Sequence, residues 1–484
     1  MSAVSHFAEL RHLDRGAGAL PGPLVEILRA RYGERFTQSR PVREHHGTDI
    51  SSYPVTPPDA VVFAESTDDV VAAVRACAAH RVPVIPFGTG TSVEGHVLAV
   101  QGGVCVDLSR MNRVLEVNAA DLDVRVQAGV TRKQLNAHIR DQGLFFPIDP
   151  GADASLGGMA STRASGTNAV RYGTMRENVL GATVVLADGR VIRVGGRARK
   201  SAAGYDLTRL FVGAEGTLGI VTVAVLKLFA APRTRITALA ALGGVGDAVR
   251  LLHLAKQALG DRLVGFELMS DLALGLSRKH HAGTPDPLPG HPWYALLQAD
   301  DSADDRGLAD RVEAMLGGAI DRGIARDATV ARSVAQADAL WSAREGISEA
   351  QRREGPNLKH DIALPVSAIP GFLEEAERAL CAAFPGVRFV VFGHLGDGNL
   401  HYNLSAPAGT APESFVSSSS VERAQRIVHD LVASRGGSIS AEHGIGQLKR
   451  GELARTKAPL ELALMRRIKA ALDPAGILNP GKVL

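Results

Sequence analysis

Cysteine is scarce in this sequence: Cys77, Cys105 and Cys381 are the three cysteines among its 484 residues. They lie far apart, without the paired spacing that zinc sites use. The scarcity argues against a disulfide framework and against a cysteine-based metal site. Three isolated thiols are typical of a protein from a reducing compartment, where they are buried as small apolar side chains.

The chain also lacks a strong excess of one charge and a long apolar run. It has 54 Lys and Arg against 51 Asp and Glu, with no basic run, so the electrostatic footprint of a nucleic-acid-binding protein is missing. The one mostly apolar stretch, 211–231, is interrupted by Glu215, Lys227 and three glycines. It fits a buried strand after a glycine turn better than a membrane span.

Residues 1–12 contain no apolar core of signal-peptide length. We therefore predict a cytoplasmic protein and leave peripheral attachment at the inner membrane open. With 45% hydrophobic and 22% charged residues, the composition is that of a soluble globular protein. Its length is enough for two or three domains with a large core.

Glycine, in contrast, is abundant, and it concentrates in three segments that leave or enter predicted strands: 88–95, 149–166 and 213–221. Backbone N–H groups and hydroxyls in such segments can face a phosphate, and three loops together can surround a large dinucleotide. The first is not a Rossmann fingerprint, because its spacing differs from G-x-G-x-x-G and a strand, 104–108, follows it. The second is predicted as a long loop, and a flexible loop without a ligand is the alternative.

A short segment near residue 400 carries the most specific pattern. Residues 387–394 and 400–404 are predicted strands, and 396–399 between them supplies residues that favour a tight turn. The resulting hairpin brings His394 and His401 together. Neutral imidazoles are good ligands for divalent zinc, manganese or iron, although an ordinary hairpin with hydrogen-bonded histidines is the alternative.

A third ligand is needed to complete a metal site, and Glu442 is the best candidate. It lies in the glycine-flanked segment 440–446, beside His443. Its carboxylate would complete a two-histidine, one-carboxylate set with open positions for a substrate.

The chain changes character after about residue 234. Arg344 and Ser348 are one turn apart on a predicted helix and share a face, although an arginine on a helix is usually solvated or ion-paired. The predicted helices and strands here are helices 238–260, 302–323 and 337–353 and strands 263–268 and 293–298.

Five motifs together resemble the FAD-dependent D-2-hydroxyacid dehydrogenases of the vanillyl-alcohol-oxidase type. This group contains D-lactate dehydrogenase (cytochrome), D-2-hydroxyglutarate dehydrogenase and the glycolate oxidase flavin subunit. The resemblance extends from about residue 54 to residue 484. Its motifs are residues 86–95, 150–158, 393–401, 441–446 and 479–482.

The resemblance implies an α+β protein with a PCMH-type FAD-binding domain and an α+β substrate (cap) domain that contains an antiparallel sheet. A C-terminal helical tail returns to the flavin domain. The implied divisions are a helical lead-in (1–54), the flavin domain (55–233), the cap with the metal hairpin (234–440) and the C-terminal segment (441–484).

The resemblance also assigns roles. It implies that His394, His401 and Glu442 bind a divalent metal and that His443 is the base. Residues that match substrate-contacting positions are Arg344, Ser348, Lys359 and Asn403. Residues that match flavin-contacting positions are Pro86, Gly88, Thr89, Gly90, Thr91, Ser92, Pro150, Gly151, Ser155, Gly157, Gly158, Ser161, Gly166, Glu215, Gly216, Ile220 and Asn479.

Two features depart from a uniform family pattern. Arg163 and Ser165 stand where relatives often have Asn and Gly, which affects the expected flavin contacts of the second glycine segment. Residues 359–361 resemble the hydroxyglutarate enzymes, whereas the flavin half is closer to the D-lactate enzymes. His96 is a position at which a covalent flavin link is conceivable, as in some distant relatives.

We therefore predict oxidation of D-2-hydroxyglutarate or D-lactate to the 2-oxo acid, with FAD accepting the hydride. The expected partners are the hydroxy acid and an electron acceptor (a cytochrome, a quinone or an electron-transfer flavoprotein), with no nucleic acid and with a homodimer left open. The alternatives are a glycolate-oxidase-type subunit, a flavin-independent metal-dependent hydrolase and a nucleotide-binding module without a metal.

Overall fold

The computed structural model describes residues 20–51 and 53–484. The strands, numbered in chain order, are β1 (Phe36–Thr37), β2 (Ala60–Phe63), β3 (Val84–Phe87), β4 (Val104–Asp107), β5 (Val114–Asn118), β6 (Asp123–Gln127), β7 (Leu144–Phe145), β8 (Val179–Val185), β9 (Val191–Gly195), β10 (Ile220–Lys227), β11 (Phe229–Ala230), β12 (Thr234–Leu242), β13 (Leu263–Ser270), β14 (Trp293–Asp301), β15 (Asp327–Val330), β16 (Asp361–Ala363), β17 (Arg388–Gly393) and β18 (Asn399–Ser405).

The helices are α1 (Gly22–Tyr32), α2 (Arg40–His46), α3 (Thr67–Ala79), α4 (Arg132–Ile139), α5 (Leu156–Thr162), α6 (Ala169–Tyr172), α7 (Met175–Asn178), α8 (Leu207–Phe211), α9 (Val245–Leu259), α10 (Asp271–His280), α11 (Gly307–Asp321), α12 (Val334–Glu345), α13 (Ile347–Arg353), α14 (Ile369–Ala383), α15 (Pro412–Phe415), α16 (Ser418–Ser434), α17 (Arg450–Thr456) and α18 (Pro459–Leu472).

The chain divides into two compact units. The first, which we call the loop unit, contains 20–165, 173–230 and 442–484 among the described residues. Its four-stranded sheet has the order β1-β2-β4-β3, in which β2 and β3 both run parallel to β4. Its five-stranded sheet, β5-β6-β10-β8-β9, is antiparallel. Valine-rich runs form both sheets, because branched side chains pack well on a pleated surface.

The second unit, which we call the sheet unit, contains 166–172 and 231–441. It is built on a seven-stranded antiparallel sheet with the order β15-β12-β14-β13-β17-β18-β16. Successive residues on a strand point to opposite faces, so Leu268 and Met269 belong to different apolar clusters. Helices α9, α11, α14 and α16 contribute to the cluster of Leu268. Helices α10, α12 and α13 contribute to that of Met269.

Three predicted elements differ from the structure. Residues 238–242 belong to β12, and the helix begins only at Val245, because the alanine-rich sequence is compatible with both states. The second glycine segment is not wholly a loop: α5 begins at Leu156, where Ser155 Oγ accepts a hydrogen bond from Gly158 N and caps the helix. The predicted helix 337–353 is divided at Gly346 into α12 and α13.

None of the helices in the described ranges combines the length and the apolar character that crossing a bilayer requires. Residues 1–12, from which the absence of a signal peptide is predicted, lie outside the described residues. The cellular location stays a prediction.

A buried carboxylate anchors α3 to the elements before it. Asp69 in the first turn of α3 accepts hydrogen bonds from Arg35 Nη1 (2.6 Å), Arg31 Nη2 (3.2 Å) and Glu65 N (3.1 Å). Burial alone would raise the pKa of Asp69, but the hydrogen bond and charge of Arg35, with the other contacts, lower that pKa below its ordinary value. The ionised form is therefore the one that stabilises the fold.

We predict that Asp69→Asn lowers the free energy of unfolding at pH 7 by about 1–3 kcal/mol, because charged hydrogen bonds are lost. A lowered folded pKa stabilises the fold above the unfolded value of about 3.9, and this contribution is lost as pH falls through the folded pKa. The difference between wild type and variant, measured by urea unfolding, should therefore shrink below about pH 4. Asp68→Asn, an exposed neighbour in the same helical turn, is the control, and an equal effect of both changes would contradict the prediction.

Candidate functional site

A buried carboxylate lies at the centre of one face of the seven-stranded sheet. Glu267 on β13 has no exposed surface. Its Oε2 accepts hydrogen bonds from Arg344 Nε (2.8 Å) and pairs with Arg344 Nη2 (2.7 Å), and its Oε1 lies 2.6 Å from His394 Nδ1. Burial alone would raise the pKa of Glu267, but the charges and hydrogen bonds of His394 and Arg344 lower it to about 2.

The predicted hairpin is confirmed, and it brings its two histidines together. Strands β17 and β18 pair in antiparallel register, with Phe392 opposite His401. The ring centroids of His394 and His401 are 5.8 Å apart. The turn requires glycine at Gly398, because its φ is +88° and a Cβ there would lie 2.1 Å from the carbonyl oxygen of Leu364.

An acidic residue that the sequence analysis did not select joins this group. Asp361 on β16 pairs with His401 in the ladder, and its Oδ1 lies 3.9 Å from His401 Nδ1. Asn399 Nδ2 donates to Asp361 Oδ1 at 2.8 Å, and the backbone N of Ala441 donates to Asp361 Oδ2 at 3.1 Å. This hydrogen bond holds Ala441, the residue before Glu442, against Asp361.

One group of four side chains has the composition of a metal site. Asp361, His401, Glu442 and His443 each offer one ligand atom, and these atoms lie within 4.8 Å of one another. Imidazole nitrogens with carboxylate oxygens suit zinc, manganese or iron, so the donor set fits the implied metal. Two of the three predicted ligands, His401 and Glu442, belong to the group, whereas His394 does not.

His443, the predicted base, lies beside a second buried carboxylate. Its Nδ1 is 3.5 Å from Glu94 Oε1, and Lys449 Nζ is 2.9 Å from the same oxygen. Burial alone would raise the pKa of Glu94, but the charges of Lys449 and His443 lower it. The side chain of His443 retains 30% exposure, which leaves it accessible to a small molecule.

The predicted substrate residues differ in their surroundings. Arg344 is buried against Glu267 and lies over the Phe392 ring, with its Cζ 4.8 Å from the ring centroid. Ser348 and Lys359 are exposed. Asn403 is buried: its Oδ1 accepts from His360 N, and its Nδ2 donates to Gln351 Oε1.

The three glycine segments pack closely in the loop unit. A Cβ added at Gly88 would lie 2.2 Å from Ser155 Oγ, so the first and second segments touch where Gly88 has no side chain. In the third segment, Glu215 N donates to the carbonyl oxygen of Ser161 at 2.8 Å. The Glu215 side chain accepts from Ile445 N and Gly446 N, each at 2.7 Å, so it contacts the protein itself.

The C-terminal motif, residues 479–482, is hydrogen-bonded to these segments through Asn479, and the buried polar atoms there show whether the site suits a flavin. Asn479 Nδ2 donates to the carbonyl oxygens of His96 (3.1 Å) and Glu215 (2.8 Å). Within the described residues, Asn479 Oδ1 and His96 Nδ1 are buried without a hydrogen-bond partner. Because buried polar groups are normally paired, an acceptor and a ring nitrogen left over beside three backbone-rich loops fit a bound polar ring system such as the flavin.

Sequence reasoning missed Glu267, Asp361 and Glu94. A charged residue inside the apolar strand Leu263–Ser270 is a signal for Glu267, since glutamate is rarely buried unless paired. The residues that pair with it lie 77 and 127 positions away. No local pattern identifies such partners.

Comparison with known proteins identifies both parts of the chain. Residues 58–195 match the model of an FAD binding domain, and residues 231–483 match that of the C-terminal domain of FAD linked oxidases. A probable mitochondrial D-lactate dehydrogenase of Danio rerio is 40% identical over 454 residues, which cover 92% of this chain and 88% of that protein. A D-2-hydroxyglutarate dehydrogenase of Xanthomonas citri pv. viticola is 36% identical over 444 residues, which cover 91% of this chain and 92% of that protein.

Among solved structures, the chain resembles p-cresol methylhydroxylase with substrate bound. The TM-score is 0.76 at 18% identity, over 96% of this chain and 98% of that one. This likeness concerns the fold, and it agrees with the predicted PCMH-type α+β architecture.

We predict that Gly88→Ala weakens FAD binding, because its Cβ would overlap Ser155 Oγ. Relieving the overlap has to displace one of the two loops, and overpacking of this kind costs the fold about 1–3 kcal/mol. We expect the displaced loop to bind FAD more weakly, which titration of FAD into apoprotein measures. Ser155→Ala in the same chain should restore part of the affinity, because the nearest remaining atom, Ser155 Cβ, is 3.3 Å away. Gly196→Ala, where a Cβ meets nothing within 4 Å, is the control; equal affinity of the Gly88 and Gly196 variants would contradict the prediction.

Proposed function

Because this chain belongs to the FAD-linked D-2-hydroxyacid dehydrogenase family, we propose that it oxidises a D-2-hydroxy acid to the 2-oxo acid with the help of a divalent metal and a histidine base. The observation that carries the proposal is the group of Asp361, His401, Glu442 and His443, which combines metal-ligand atoms with a partly exposed imidazole. Such a group suits removal of a hydroxyl proton from a chelating acid.

The residues that would hold the metal are His401 and Glu442 of this group together with His394, which lies outside the group with its ring centroid 5.8 Å from that of His401. A bound divalent metal lowers the pKa of a coordinated hydroxyl and fixes the hydroxy-carboxylate that chelates it. Asp361 faces His401 Nδ1 at 3.9 Å. We propose that it orients this ring, as carboxylates beside metal-binding histidines commonly do.

His443 would take the hydroxyl proton at Nε2. Its Nδ1 faces Glu94 Oε1 at 3.5 Å, whereas Nε2 lies 4.0 Å from Glu442 Oε1. Nε2 is therefore the ring nitrogen on the side of the proposed metal ligand. Flavin supplies the acceptor for the hydride that leaves the substrate carbon.

The choice between a monocarboxylate and a dicarboxylate depends on the cations near the metal ligands. The relatives are named for D-lactate and for D-2-hydroxyglutarate, which suggests these two acids as candidates. Counting Arg344 and Lys359 as two cations would favour a diacid, but Glu267 already neutralises Arg344. We therefore propose that Arg344 contributes hydrogen bonds to the shared carboxylate and that Lys359 determines whether a second carboxylate is accepted.

The proposal includes an electron acceptor, because a flavin reduced by the substrate has to be oxidised again. A cytochrome, a quinone and an electron-transfer flavoprotein are the candidate classes. The homodimer stays a prediction.

Anaerobic addition of D- and L-hydroxy acids to the FAD-loaded protein tests the proposed function. We expect the flavin absorbance to bleach with D-lactate or D-2-hydroxyglutarate and not with the L-acids. A protein that stays colourless after addition of FAD would support a metal-dependent hydrolase instead. Bleaching by glycolate in preference to both D-acids would support a glycolate-oxidase-type subunit.

We predict that His443→Asn keeps metal and FAD but slows flavin reduction by roughly 10²- to 10⁴-fold, the usual contribution of a general base. Stopped-flow reduction with saturating acid measures the rate, and metal and FAD contents are determined on the same sample. His253→Asn, outside the proposed site, is the control. An unchanged rate with both cofactors bound would remove His443 from the mechanism.

We predict that Lys359→Ala weakens the use of D-2-hydroxyglutarate far more than that of D-lactate, by about 1.5–3 kcal/mol in kcat/KM, the value of a lost hydrogen bond between charged groups. Lys359 is exposed, so the change should leave the melting temperature nearly unaltered. Lys279→Ala, another exposed lysine of the sheet unit, is the control. Equal losses for the two acids would place Lys359 at the carboxylate that both acids share.

A further inference from the structure

Glu267 makes two kinds of contact, one with a proposed substrate residue and one with a proposed metal ligand. It has no exposed surface, and its two carboxylate oxygens are divided between Arg344 and His394. We propose that Glu267 is a positioning residue that selects the His394 tautomer able to bind metal at Nε2. This role rests on the proposed function, in which His394 is a metal ligand.

The selection follows from hydrogen-bonding capacity. An ionised carboxylate only accepts hydrogen bonds, so at 2.6 Å from Glu267 Oε1 the Nδ1 of His394 has to carry the proton. A neutral imidazole with its proton on Nδ1 has its lone pair on Nε2. Metal-binding histidines usually donate their other ring N–H to a carboxylate or carbonyl in this way, which fixes the ring and increases its basicity.

Arg344 keeps the carboxylate ionised and in place. It approaches one oxygen, Oε2, with two nitrogens at 2.7 and 2.8 Å. Its guanidinium is itself held over the Phe392 ring. Because Arg344 binds Oε2 of Glu267, Oε1 is the oxygen that contacts His394. The Glu267 carboxylate cannot rotate without breaking its ion pair with Arg344.

The position of β13 in the sheet supports the role. Strand β13 pairs with β17, and Leu268 lies opposite Gly393, the residue before His394. The backbone thus brings Glu267 beside His394 through ladder contacts that do not involve either side chain. A change at Glu267 can therefore alter the tautomer of His394 while leaving the sheet in place.

Glu267→Gln is the sharpest test because it preserves shape and alters hydrogen-bonding capacity. With its oxygen facing the Arg344 donors, the amide presents N–H to His394 Nδ1, which moves the ring proton to Nε2 and removes the lone pair. We expect metal affinity to fall about 10- to 100-fold, the usual loss when such a supporting group is changed. FAD content should not change.

The experiment titrates Mn²⁺ and Zn²⁺ into chelator-treated, FAD-loaded protein, with competition against a chromophoric chelator, so that no turnover is needed. Asp300→Asn is the matched control: Asp300 is a buried carboxylate of the same sheet that pairs with Arg235. It should leave the affinity for both metals unchanged. Glu267→Asp, which keeps the charge but cannot reach both partners, is the second variant if the Gln variant does not fold, and it too should bind metal more weakly.

Each outcome decides a separate point. Weaker metal binding in the Glu267 variants, with unchanged binding in Asp300→Asn, supports the role. Unchanged metal affinity in folded Glu267→Gln overturns it while leaving the proposed metal site intact. If wild type binds no metal, the proposed metal site fails and this role fails with it.

Discussion

A carboxylate without any exposed surface needs a counter-charge and hydrogen-bond donors, and Glu267 obtains the charge from Arg344 and a further donor from His394. Removing a charge from water costs several kcal/mol even after relaxation, and loss of one partner of a buried pair costs about 3–5 kcal/mol. Arg344 and His394 are therefore held where they are by the energetics of folding. The proposed substrate residue and the proposed metal ligand thus bind the same carboxylate, so their relative position follows from a condition on stability.

In the loop unit, buried carboxylates also hold the segment that contains the proposed base. Glu215 accepts from two successive backbone N–H groups at 445 and 446, and Glu94 pairs with Lys449 and faces His443. Both carboxylates are buried, so they constrain the backbone that follows His443. A glycine-rich segment has little tendency to hold one conformation by itself. Buried hydrogen-bonded carboxylates supply the missing constraint.

The sequence predicted the parts of the site that depend on local patterns. The hairpin with His394 and His401 is confirmed because turn residues and strand propensity act within a few positions. The α+β class follows from the motifs of the resemblance. Glu267, Asp361 and Glu94 were missed because their roles depend on partners distant in sequence. The strand at 234–242 was missed because its alanine-rich sequence has no clear period, so pairing with β14 and β15 decides its state.

Arg344 and Lys359, the two proposed substrate cations, differ in burial, and this difference affects what a substitution at each costs the fold. Arg344 is buried and neutralised, so replacing it would leave Glu267 without its ion pair and would disturb both stability and His394, the proposed metal ligand. Lys359 is exposed and lies two residues before β16, the strand that pairs with β18 of the hairpin. A change of charge at an exposed residue usually costs little stability. In the proposed function, a change at Lys359 therefore alters the choice between a dicarboxylate and a monocarboxylate, whereas Arg344 is kept for either acid. In the proposed function, substrate specificity thus depends on an exposed cation and the shared chemistry on a buried one.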